Sequence, residues 1–270
     1  MNKPTTLRPR HRFAHAATTC ALLLKIANAT VVPHALFSSN AVLQRDQILP
    51  VWGDAADGEK VTVEFAGHSV STTTQSGHWR VNLPAQPANS SPQRMIIRGS
   101  NEIVLENILI GDVWLCSGQS NMAWTLAKSA NGSAVAAATQ EPQVRLISVP
   151  RLQSAKPIKD LKAQWVPCAP PHVERFSAVG FYFGRELQQA LHVPIGLIGS
   201  YVGGTAAELW TSEKGMQQLP ELRKLVTAHE QSVTKFDPAR AAAAFAKAQA
   251  EYPLQVQKAK EQNKPAPRPP

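Results

Sequence analysis

A serine becomes a nucleophile when an exposed turn holds it near a proton acceptor and near donors for the oxyanion it creates. In this 270-residue chain, Ser117-Gly118-Gln119-Ser120-Asn121-Met122 offers such a turn. It follows a nearly continuous apolar run, Ile108 to Cys116, that reads as a strand buried on both faces. Ligands of open α/β sheets bind beyond the carboxyl ends of the strands. Ser120 therefore falls where a reacting atom can be met, and Gly118 lets another group approach closely. Read locally, a serine at a strand end also serves as a helix cap, and both readings stand at this point.

Gly199-Ser200-Tyr201-Val202-Gly203-Gly204-Thr205 is the second candidate, placed between an apolar run (Ile195 to Ser200) and the segment Ala206 to Trp210. Paired glycines between strand and helix present bare N–H groups to an anion. They also suit a tight turn that needs positive φ. Glu208, one turn on, reads either as a solvated residue or as a ligand contact. The histidines available as bases are scattered: His34, His68 and His78 in or before the strands, His172 in a Pro-Pro loop, His192 closing a helix, His229 in a polar helix. Each reads as a surface or packing residue. There is no CxxC pair or His/Cys cluster, so a zinc site is not expected, and spacing leaves open whether Cys116 and Cys168 pair.

The elements that must position these residues fall into two styles. From Leu36 to Ile108 the pattern is β. Val61, Val63 and Phe65 alternate with Lys60, Thr62 and Glu64, and Trp79, Val81 and Leu83 alternate with Arg80 and Asn82. Met95 to Arg98 and Ile103 to Leu105 follow, parted by Gly99-Ser100-Asn101. Short strands between turn signals predict a small antiparallel β-sandwich over 30–107. Beyond it, Ile108–Cys116, Val144–Val149 and Ile195–Ser200 read as buried strands. Between the last two, Val179, Phe183, Leu187 and Leu191 recur every four residues after the plausible cap Ser177. That alternation predicts an α/β fold with a parallel sheet over 108–252. Asp237-Pro238 opens an Ala-rich helix to about Tyr252 that Pro253 breaks or kinks, and 253–270 reads as a proline-rich linker.

The net charge of +9 suggests nucleic acid until it is mapped. Five cations and no acid lie in residues 1–29, and four cations against one acid lie in 258–270, so the body between is almost neutral. Such a body is no phosphate-binding surface. The four cations within the first twelve residues, the apolar stretch Ala14 to Ile26 and the triplet Ala27-Asn28-Ala29 make the pattern of an export signal over 1–29. Lys25 is the residue that fits it worst. A secreted or periplasmic protein with no membrane association after cleavage is expected.

Together the segments resemble the sialate O-acetylesterase family of SGNH-type serine hydrolases. The residues that carry the resemblance are Gly111-Asp-Val-Trp-Leu-Cys-Ser-Gly-Gln-Ser-Asn-Met122, Phe176-Ser-Ala-Val-Gly-Phe-Tyr-Phe-Gly-Arg-Glu-Leu187, Pro194-Ile-Gly-Leu-Ile-Gly-Ser-Tyr-Val-Gly-Gly-Thr205 and Glu208-Leu-Trp-Thr-Ser212. The resemblance implies Ser120 as nucleophile and an oxyanion hole from the N–H groups of Ser120 and Gly203 or Gly204. It places Gln119, Asn121 and Glu208 around the pocket. An O-acetylated sugar is the implied substrate, and no metal or organic cofactor is required.

The family's base is an Asp-x-x-His pair near its carboxyl end, and no aspartate of this chain has a histidine three residues on. The family's Trp-Tyr-Gln-Gly-Glu segment is also absent. The expectation is an incomplete SGNH-like hydrolase domain, cut before its Asp and His and poorly active alone, with an uncovered sheet edge and helices short of packing partners. A non-catalytic carbohydrate-binding remnant and an acetylxylan-type esterase are the alternatives.

Overall fold

The computed structural model describes residues 30–152, 154 and 156–270. The export pattern lies outside them. The fold is mixed α/β. One compact unit ends at Gly111 and a second begins at Asp112, a division that falls inside a strand, past the expected switch at Ile108.

The first unit contains β1 (Val32–Pro33), β2 (Val42–Gln44), β3 (Leu49–Asp54), β4 (Lys60–Phe65), β5 (His68–Thr73), β6 (His78–Leu83), β7 (Asn89–Arg98) and the first part of β8 (Glu102–Gly118). One sheet has the order β1-β3-β6, and in another β8 is followed by β7, β4 and β5 through antiparallel pairs. Alternation works as the sequence indicates: Val61, Val63 and Phe65 are buried, as are Trp79, Val81 and Leu83, while their neighbours face out. Each sheet thus hides one apolar face, as a two-layer β arrangement requires.

Ile103–Leu105 and Ile108–Cys116, read as separate strands, are one strand of 17 residues. Asn107, at φ +58°, lies between them without ending the strand. Up to Ile110, β8 pairs antiparallel with β7; from Asp112 it pairs parallel with β11 (Ile195–Tyr201).

The second unit continues with α1 (Ser120–Ala123), α2 (Gly132–Ala138), β9 (Glu141–Ser148), β10 (Val166–Cys168), α3 (His172–Arg175) and α4 (Ala178–Leu191). After β11 come α5 (Glu213–Gln217), α6 (Pro220–Lys235) and α7 (Pro238–Glu261). The sheet order is β10-β9-β11-β8, with β9, β11 and β8 parallel and β10 antiparallel at the side of β9. β11, last in sequence, is therefore inserted between the other two parallel strands. One sheet face is packed: Val144, Leu146, Ile195, Leu197 and Cys116 form a dry cluster with Val173, Phe176 and Phe181.

Three expectations need correction here. First, the second part of β8 is not buried on both faces, since Trp114 is 43% and Leu115 66% exposed. Second, α4 does not bury the row Val179, Phe183, Leu191: these are 51%, 41% and 46% exposed, and only Leu187 packs partly against the core. The helix buries Ala178, Gly180, Phe181 and Gly184 instead. Small residues win because the helix lies tightly on the sheet. A Cβ on Gly184 would come within 2.7 Å of Leu197, and one on Gly180 within 3.0 Å of the Cys116 sulfur. Third, α7 runs through Pro253 to Glu261, and the proline-rich end folds back so that the Tyr252 hydroxyl donates to the Pro267 carbonyl at 3.1 Å. Cys116 and Cys168 are free and buried, so they do not pair with each other.

Among the described residues, no helix is long and apolar enough to cross a membrane.

Candidate active site

The carboxyl ends of β8 and β11 are adjacent because the two strands pair in parallel up to Tyr201 opposite Gly118. The chain then leaves each strand in a turn. Gly118, at φ +134°, takes a conformation that side chains disfavour, and turns β8 into α1 at Ser120. Gly204, at φ +80°, does the same after β11. The Val202 N–H donates to the Gly118 carbonyl at 3.0 Å, which ties the two turns together.

Ser120 is exposed at the first position of α1. It is not the cap: Gln119 is, without a side-chain capping bond. The cap reading of Ser120 is therefore overturned, and its hydroxyl is not used to cap α1. Gly203 lies directly against it, since a Cβ built there would sit 3.6 Å from Ser120 Oγ and 3.7 Å from Ser120 Cα. Among the described residues, the backbone N–H groups of Ser120, Gly203 and Gly204 donate no hydrogen bond. Three uncommitted donors thus lie on two neighbouring turns, an arrangement able to stabilise an anion.

The surrounding contacts fix both turns. The buried Ser177 hydroxyl caps α4 by accepting the Gly180 N–H at 3.0 Å, as its sequence position indicates, and it donates to the Met122 sulfur at 3.3 Å. Trp124 accepts the Ala178 N–H at 2.8 Å. Tyr201, which sequence reading did not single out, accepts the Ser177 N–H at 3.1 Å. Desolvation raises the pKa of its phenol, so it stays a neutral hydroxyl. Thr205 donates to the Val202 carbonyl at 2.7 Å and accepts the Trp210 indole N–H at 2.8 Å, bracing the second turn.

Of the expected site residues, Gln119, Ser120, Asn121 and Gly203 come together, with Gly204 next in the same bend. Ser120 Oγ donates to Gln119 Oε1 at 2.7 Å. Glu208 does not join them. It sits in the 3-10 turn Ala207–Trp210 and lines a separate groove with Met216, Leu225 and His229. No histidine among the described residues hydrogen-bonds Ser120; the hydroxyl's partner is an amide oxygen, which accepts a hydrogen bond but is no base.

Residues 110–248 match the family described as carbohydrate esterase, sialic acid-specific acetylesterase. Human sialate O-acetylesterase is 32% identical over 201 residues, covering 67% of this chain and 38% of that protein. The mouse enzyme is 32% identical over 187 residues, covering 62% and 35%. A crystal structure of a carbohydrate acetylesterase from Xanthomonas citri superposes with a TM-score of 0.66 at 36% identity, covering 68% of this chain and 43% of that one. The chain therefore spans well under half the length of each of these proteins.

Proposed function

Because this chain belongs to the sialic acid-specific acetylesterase family of carbohydrate esterases, we propose that it carries the nucleophile of an esterase that removes O-acetyl groups from sialic acids or related sugars. Ser120 Oγ attacks the acetyl carbonyl, and the bond to the sugar oxygen breaks. The sugar leaves as an alcohol with a proton, and water later frees acetate from acetyl-Ser120. The N–H groups of Ser120 and of Gly203 or Gly204 hold the oxyanion. Such donors are typically worth about 3 kcal/mol each in the transition state. Gln119 and Asn121 line the acyl pocket, while Glu208, turned into another groove, takes no part. The chemistry needs no metal or organic cofactor. The basic, apolar and small-residue pattern of residues 1–29 supports export to a secreted or periplasmic location.

The observation that carries this reading is the 3.6 Å between the Ser120 hydroxyl and the place a methyl would take on Gly203. An acyl oxygen fits where that methyl is missing. The hydroxyl donates to Gln119 Oε1, so among the described residues its partner is not a base. The same bond favours a second reading, a carbohydrate-binding protein that keeps the ester pocket without turnover.

The test is intact-mass analysis of the protein exposed to p-nitrophenyl acetate, with turnover followed in parallel. Turnover should fall on the order of 10⁴- to 10⁶-fold below that of an enzyme with a full triad. A slow acetyl adduct should form on Ser120 and vanish in Ser120→Ala. Robust turnover lost in Ser120→Ala would refute the missing base. No adduct on Ser120 would refute the nucleophile and leave the binding reading.

A further inference from the structure

A cavity of about 560 Å³ opens at the carboxyl ends of β9 and β11. Its polar lining includes Ser148, Arg151, His172, Arg175 and Tyr201, and no acidic residue borders it. Arg151 and Arg175 both present exposed guanidinium groups, and among the described residues neither forms an ion pair with a carboxylate. Two uncompensated arginines over a concave surface make an electrostatic site for an anion, and their planar forks suit a carboxylate.

The floor is rigid and apolar. Phe176 is buried and meets Tyr201 edge-on, with ring centroids 6.3 Å apart. Gly199 lies beneath both rings: a Cβ there would come within 2.9 Å of each, so only glycine permits this pair. The Tyr201 hydroxyl accepts the Ser177 N–H and also meets the Ser148 side chain, so a small polar edge borders the floor. A ring with one apolar face and several hydroxyls matches such a floor.

The cavity also has a fixed relation to Ser120. Tyr201 pairs with Gly118, and the next residue, Val202, donates to Gly118. β11 lies between β8, which ends at the serine turn, and β9, which borders the cavity. With neighbouring strands about 4.8 Å apart, the span from the end of β8 to the end of β9 is about 10 Å. That is the scale of one sugar ring with its side chain.

We propose that this cavity is an anion subsite that holds the carboxylate of an acidic sugar on Arg151 and Arg175, over the Phe176–Tyr201 floor, and that it selects acidic sugars over neutral ones. Its placement of an acetyl group toward Ser120 rests on the esterase reading; its binding of the carboxylate does not.

The experiment is a titration of the whole 270-residue protein with free sialic acid and with its methyl ester, in which a small methyl group replaces the negative charge, followed by calorimetry or ligand-observed NMR. The free acid should bind at least tenfold more tightly than the ester. Arg151→Gln and Arg175→Gln should each weaken the acid about tenfold, the size expected for one lost charged hydrogen bond, and should leave the ester unchanged. Arg80→Gln, on β6 of the first unit, should change nothing. Equal affinities for acid and ester, no binding of the acid in the millimolar range, or undiminished binding by the double arginine variant each overturns the subsite. Ser120→Ala should bind the acid as the parent does. A failed nucleophile therefore shows in the mass assay alone, and a failed subsite in the titration alone.

Discussion

Helix α4 begins at Ser177, whose hydroxyl accepts the Gly180 N–H, and α7 begins at Asp237, whose carboxylate accepts the N–H groups of Ala239 and Arg240. Both starts follow the same capping chemistry. The two helices then diverge. α4 lays Gly180, Phe181 and Gly184 on the sheet, while α6 and α7 bury none of their residues. α7 is sustained by alanine propensity, its cap and pairs such as Lys247–Glu251 at 3.9 Å, strongly enough to continue past Pro253. Local preference suffices to make a helix. Only packing makes one that positions a site, and both serine and diglycine turns are tied to the α4–β11 region.

Removing one of its two fully buried phenylalanine rings should break that region. Phe176 is 2% exposed, sits over Gly199 and Tyr201, and accepts the Leu126 N–H through its carbonyl. Phe176→Ala should cost about 3–5 kcal/mol of unfolding free energy in denaturant titrations. It should also loosen Tyr201 and with it the Ser120 turn, so adduct formation on Ser120 should fall even under conditions where the variant is folded. A loss below 1 kcal/mol would mean that the packed face is not what holds the site.

Alkaline pH sharpens the same contrast, because Cys116 and Cys168 both lie in the packed cluster. Burial pushes Cys116 from 9.0 up to about 11, and burial first, then the nearby Glu141 charge, pushes Cys168 up to about 12. A thiol gains charge as it loses its proton, so the folded state resists ionisation. The resulting stability is fully present below pH 9 and is lost as pH rises through 11 to 12. Between pH 9 and pH 11 the loss from Cys116 is on the order of 2 kcal/mol, and Cys116→Ala should flatten the decline. Below pH 9 neither thiol should react with a disulfide reagent until the second unit unfolds.

The next effect decides between two opposing terms at one position. Replacing a helical glycine by alanine ordinarily gains up to about 1 kcal/mol. At Gly184 the new methyl would lie 2.7 Å from Leu197 Cδ1 and 3.1 Å from Cδ2, and Leu197 is fully buried with nowhere to retreat. Overpacking of this kind costs about 1–3 kcal/mol. Gly184→Ala should therefore destabilise by about 1 kcal/mol, measured as a shift in the denaturation midpoint. A stabilised variant would show that α4 stands further from the sheet.

The sequence carried the strands of the first unit through plain alternation at Val61–Phe65 and Trp79–Leu83, and it carried the Ser177 cap. It also made legible the meeting of the Ser120 and Gly203 turns, once parallel strands were expected before both. It misjudged α4 because a hydrophobic pattern weighs large apolar side chains. Close packing instead selected Gly180 and Gly184, and left Val179 and Phe183 outside. Trp114 and Leu115 were misread for a related reason: an apolar strand need not have both faces covered. Glu208 follows the diglycine bend closely in sequence, yet the chain turns it into another groove. Arg151 and Arg175 carried no local signal, because a loop and a short helix distant in sequence bring them to one cavity.

The smallest effect is expected where the comparison is most exposed to failure. Phe245 lies in α7, is 53% exposed, and is as large as the Phe176 ring that anchors the other region. If size alone mattered, Phe245→Ala would cost several kcal/mol. Since α7 buries none of its residues, the substitution removes no core contact, and alanine is the better helix former. The two terms leave a net change within about 0.5 kcal/mol in the unfolding of the second unit. Sialic acid binding and the Ser120 adduct should be unaltered. A cost near that of Phe176→Ala would mean that α7 is packed in solution against a surface, and that helix propensity is not what sustains it.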